Sequence, residues 1–101
     1  MNQPVFEKIN GQHYALSGEL TMKNVPDVAL KTASVISGMS GEVCIDLSGI
    51  TRADSAGLAL LIDWLRIARR EKVTLRFEKL PEQLTQIAEV CDLHSVLPIE
   101  H

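Results

Sequence analysis

The chain has 101 residues, enough for a single domain (1–101) with its own core, since chains of this size hide roughly 60–70% of their unfolded surface. Ten Lys and Arg stand against 13 Asp and Glu, a net charge of -3, and no face collects cations interleaved with aromatics, so nothing attracts a phosphate backbone and no nucleic acid partner is expected. The most apolar stretch, residues 56–65, is interrupted by Asp63 and falls well short of the ~20 residues that span a bilayer, which argues against direct membrane insertion.

The opening segment MNQPVFEKIN lacks the basic-then-apolar pattern of a secretion signal, which predicts a cytoplasmic protein. Cys44 and Cys91 belong to separate predicted elements, with no C-x-x-C pair and no Cys/His cluster along the sequence. Neither a disulfide nor a metal or other cofactor is expected.

Val5 to Ile9 and His13 to Ser17 read as two strands, and Asn10-Gly11 between them predicts a tight hairpin with φ > 0 turn residues. Pro26 suits a first helical turn, and Val28, Ala29, Thr32, Val35 and Ile36 then recur at helical spacing until Gly38 and Gly41. Val43 to Leu47 is the next strand. A second helix is predicted from Ser55 to Arg70, followed by a strand in which Val73, Leu75 and Phe77 alternate with Thr74 and Arg76. Pro81 opens a third helix with Leu84, Ile87, Ala88 and Cys91 at i, i+3, i+4, i+7, and the tail after it can add an edge strand. The order β-β-α-β-α-β-α implies an α/β fold: a mixed sheet of four to five strands, antiparallel at the hairpin and parallel after it. Alternating strands, rather than continuous apolar runs, place the helices mainly on one face.

Ser55, at the strand-to-helix junction IDLSGITRADSAGLALL, admits three roles. Either Asp54 or Ser55 can cap the second helix, which contributes about 0.5–2 kcal/mol. As a nucleophile, Ser55 sits in ADSAG, one residue away from the G-x-S-x-G elbow, but only His94 and His101 follow as bases, so no catalytic residue is expected. As a recognition point, it opens a helix whose small Ala56 and Gly57 leave the backbone donors approachable. Leu58, Leu61, Ile62, Leu65 and Ala68 form one apolar stripe of that helix, and Leu60, Trp64 and Ile67 widen it to about 220°, against the ~100° that covers a core. Those three residues either pack under a neighbouring helix or bind a partner.

LSGEL (16–20), IDLSGITRADSAGLALL (45–61) and the element order resemble the STAS domain, the fold of anti-sigma factor antagonists, over nearly the whole chain. The family's D-[ST]-x-G element is met by Asp54, Ser55, Ala56 and Gly57, which the resemblance marks as a partner-binding or phosphoacceptor site. Ala56 stands where Ser or Gly is frequent, and Thr21 where Asp is. Within the family the chain looks most like the small cytoplasmic subunits of phospholipid ABC transporters. That likeness implies a non-enzymatic protein bound to the transporter's ATPase subunit, and through it to permease and lipid-binding subunits. The alternative it implies is an antagonist switched by phosphorylation of Ser55.

Overall fold

The computed structural model describes residues 4–90 and the backbone of residues 99–100. Its elements are β1 (Val5–Asn10), β2 (His13–Leu20), α1 (Val25–Ser37), β3 (Glu42–Ala53), α2 (Ser55–Arg70), β4 (Thr74–Glu78), α3 (Glu82–Val90) and β5 (Ile99–Glu100). The five strands form one sheet in the order β1-β2-β3-β4-β5. Among the described residues only the β1/β2 hairpin is antiparallel; the β2/β3, β3/β4 and β4/β5 pairs are parallel. The expected mixed sheet and element order are present, and β5 beside β4 is the anticipated edge strand. Readings that involve Cys91, His94 and His101 lie outside the described residues.

The hairpin forms by a different device from the one expected. Neither Asn10 nor Gly11 takes a positive φ. Instead the Asn10 side chain accepts the Gln12 N–H at 2.9 Å, an Asx-type turn in which the amide replaces a backbone acceptor.

Strand alternation sorts the sheet into two faces. Leu16 and Leu20 of β2, Val43, Ile45 and Leu47 of β3, and Leu75 and Phe77 of β4 are buried, together with Leu58, Leu61, Trp64, Ile36 and Leu84 from the helices. On the opposite face stand His13, Cys44, Asp46, Arg76 and Glu78, all exposed or half-buried. The helices therefore cover one face, and α2 lies between α1 and α3. β3 runs six residues beyond the expected Leu47 because the ladder shifts register between Ala15 and Ser17 and continues against Gly49. A side chain at Gly49 would bring its Cβ to 2.6 Å from Ser17 Cβ, so this bulge requires glycine.

Candidate functional site

α2 begins where the sequence places it, at Ser55, and its cap is Asp54. Asp54 is extended (φ -122°, ψ -167°), and its Oδ1 accepts the Ala56 N–H at 2.9 Å. Oδ2 accepts the Met22 N–H at 3.1 Å, so one carboxylate ties the loop after β2 to the first turn of α2. The Asp54 N–H donates to the Leu20 carbonyl at 3.1 Å, which anchors the same junction to the end of β2.

With capping assigned to Asp54, Ser55 is left exposed at the first helical position, and among the described residues its hydroxyl has no hydrogen-bond partner. Ala56 is half-buried. Gly57 is buried, and its smallness serves packing rather than access: a Cβ there would lie 3.0 Å from Leu20 Cβ and 3.2 Å from the Leu20 carbonyl oxygen. Gly57 is thus withdrawn from the surface that the sequence reading assigned to it. Ala59 on the next turn is exposed, and Met22, a methionine 75% exposed that the sequence reading missed, is tied by its backbone N–H to Asp54, the neighbour of Ser55. Long-range contacts bring Met22 here, its N–H bond to the Asp54 carboxylate and the pairing of Leu20 with Ala53, and nothing local in the sequence signals it.

The apolar face proposed for a partner is corrected. Trp64 is 1% exposed and Leu60 2%, while Ile67 is half-buried against the core. The Trp64 ring sits 5.3 Å from Phe6 at 50°, and its Nε1–H donates to Thr32 Oγ1 at 3.0 Å; Thr32 in turn donates to the Val28 carbonyl at 2.8 Å. The 220° arc has a structural reason, since α2 has the sheet below it and a helix on each side. A central helix of three buries more than one stripe.

The family model described as "Mlab, STAS domain" matches residues 7–98. The chain belongs to the STAS family. The chain is 32% identical over 90 residues to the intermembrane phospholipid transport system binding protein MlaB of Escherichia coli K12, covering 87% of this chain and 89% of that one. One chain of the Acinetobacter MlaFEDB complex in an ATP-bound conformation superposes with a TM-score of 0.79 at 25% identity, covering 95% of this chain and 100% of that one. An anti-sigma factor antagonist from Mycobacterium paratuberculosis has the same fold, with a TM-score of 0.76 at 19% identity and coverage of 98% and 85%.

The STAS sheet carries a second polar grouping, away from Ser55. His13 Nε2 lies 2.8 Å from Glu78 Oε1, and the Cys44 thiol donates to the same oxygen at 2.7 Å. Those two bonds, that from Cys44 first, hold the Glu78 carboxyl below its usual range against a small opposing effect of burial. Beside it, Asp46 accepts the Ser48 N–H at 2.7 Å and faces Lys79 Nζ at 3.8 Å. The Ser48 backbone and hydroxyl, and then Lys79 and His13, lower its pKa. His13, Cys44 and Glu78 are too far apart in sequence for any spacing motif to join them. Parallel register does so, because His13 pairs with Cys44, and Glu78 pairs with Asp46 one pleat further on.

Proposed function

We propose that this chain is the STAS subunit of an Mla-type phospholipid ABC transporter, a non-enzymatic protein that docks on the MlaF-like ATPase subunit. In this reading it supports assembly and activity of the complex that maintains outer-membrane lipid asymmetry, and meets the permease and lipid-binding subunits only indirectly. The observation that carries the proposal is the near full-length similarity to a protein named as a phospholipid transport system binding protein, joined by a fold match to the whole of one chain in an MlaFEDB complex. In this reading the chain sits at the cytoplasmic side of the inner membrane through its partner; among the described residues no helix is long and apolar enough to cross a membrane.

The docking surface is the Ser55 end of α2 with Met22. A small hydroxyl permits close approach of a partner backbone, and an exposed methionine packs adaptably against apolar groups. The test is co-purification of the tagged chain with the transporter from membranes. Ser55→Asp keeps stability within about 1 kcal/mol, because Asp54 still caps the helix, yet sets a charge at a contact that loses water on docking. Binding then falls at least about tenfold. Undiminished recovery of the ATPase with Ser55→Asp removes this surface from the interface, and failure of the wild-type chain to co-purify removes the transporter reading.

A second reading is favoured by the exposed Ser55 hydroxyl at a helix start and by the fold shared with anti-sigma factor antagonists. A phosphate there adds about -1.5 to -2 charges, favourable to the helix dipole and opposed by Asp54. Recovery of an anti-sigma kinase in the same pull-down, with a phosphate on Ser55, would support it over the transporter.

A further inference from the structure

We propose that the helix-free face of the sheet carries a zinc site, with His13 Nε2, the Cys44 thiolate and a Glu78 carboxylate oxygen as three ligands and water as the fourth. This inference is independent of the transporter reading, since its residues stand on β2, β3 and β4 and not on α2.

The geometry carries it. One donor atom from each residue lies within 4.8 Å of the other two. The three come from adjacent strands: His13 is the ladder partner of Cys44, and Glu78 reaches both from β4. Strands are rigid supports, so the donors converge without ordering a loop. A tetrahedral zinc site separates its donors by about 3.4–3.6 Å, so the two present contacts need to open by about 0.6–0.9 Å, within reach of side-chain torsions.

The donor chemistry points to zinc rather than a hard cation. One thiolate, one imidazole and one carboxylate suit a borderline-soft metal, whereas Mg²⁺ and Ca²⁺ prefer all-oxygen shells. On binding, the Cys44 S–H bond is replaced by S–Zn, His13 Nε2 gives up the proton it directs at Glu78 so that the ring binds as a neutral imidazole, both protons pass to solvent, and Glu78 exchanges two hydrogen bonds for a metal bond. The group opens into a concavity of about 470 Å³, which leaves space for the water ligand. Glu42 and Glu78 line that concavity, with Asp46 near Glu78; Arg76 also lines it and Lys79 faces Asp46, so two cations oppose a metal ion against three carboxylates. No spacing motif announces such a site, because its ligands lie far apart along the chain.

Cobalt(II) is the spectroscopic probe and zinc the competitor. The Cys91→Ser chain is the background, so that Cys44 is the only thiol. Added Co²⁺ is expected to give tetrahedral visible absorption and a thiolate-to-cobalt charge-transfer band, both abolished by stoichiometric Zn²⁺ and unaffected by Mg²⁺. Introducing Cys44→Ser removes the charge-transfer band, and His13→Ala or Glu78→Gln weakens Co²⁺ binding at least about tenfold. Circular dichroism of each variant separates loss of the site from loss of the fold. The spectrum of hydrated Co²⁺ in the Cys91→Ser protein, or unchanged affinity in folded His13→Ala and Glu78→Gln, overturns the proposal and leaves a hydrogen-bonded trio only.

Discussion

Replacing Trp64 by alanine separates the two readings that its sequence allows. The indole is 1% exposed, stacks obliquely on Phe6 and spends its N–H on Thr32, so truncation leaves a large cavity and removes a buried hydrogen bond. Buried Trp to Ala changes cost about 3–5 kcal/mol, and in a chain of this length each kcal/mol moves Tm by roughly 4–8 °C, so the melting point falls by at least about 12 °C. Trp64→Phe keeps a ring against Phe6 but gives up indole volume and the N–H donated to Thr32 Oγ1, for about 1–3 kcal/mol. Pairing it with Thr32→Val, whose hydroxyl otherwise keeps its bond to the Val28 carbonyl, tests whether the two losses are coupled. The assay is urea unfolding followed by far-ultraviolet circular dichroism for all four proteins. Trp64 is the single tryptophan, so the wild-type free chain also emits at short wavelength before any partner is added. Unfolding of Trp64→Ala within about 1 kcal/mol of wild type, with long-wavelength emission from the free chain, would refute the packing argument and return this face to the interface.

Two further outcomes are expected. Asp54→Ala loses about 0.5–2 kcal/mol in urea unfolding, since the Ala56 and Met22 N–H groups lose their acceptor, while Ser55→Ala costs far less; equal costs would move the cap to Ser55. The pH dependence has a definite sign: Asp46 and Glu78 have lowered folded-state pKa values, so the unfolded chain takes up their protons first as pH falls. Their stabilisation is present above the ordinary carboxylate range and is lost as pH drops through the lowered values. Acid titration of the urea midpoint should show it, and Asp46→Asn should flatten the curve; an unchanged slope in that variant would detach Asp46 from acid stability.

The parts legible in the sequence are those set by local physics. Period-two alternation in β2, β3 and β4, the 3.6 period of α2 and its start at Ser55 all appear in the structure. The extension of β3 was hidden because Ser48 and Gly49 break the alternation, and only the bulge against Ser17 explains them. Trp64 was ambiguous for a different reason. Helical spacing shows how wide an apolar face is, but not whether a partner molecule or two flanking helices cover it. His13, Cys44 and Glu78 carried no signal at all, since their proximity is a property of strand register.

Asp54 shows why the candidate site is better described as a junction than as a serine. Its two carboxylate oxygens hold separate segments, Oδ1 the first turn of α2 and Oδ2 the loop bearing Met22, while its own N–H is held by Leu20 at the end of β2. Gly57, closed against Leu20, lets the helix start sit directly on that strand end. Three residues of the D-S-A-G element therefore have distinct physical tasks: Asp54 caps and cross-links, Gly57 permits close packing, and Ser55 presents an exposed hydroxyl that no hydrogen bond within the described residues occupies. A charge at position 55 acts beside a carboxylate already committed to two N–H donors, so it changes the surface that a partner meets while the helix keeps its cap. That division is what allows stability and binding to be separated by one substitution.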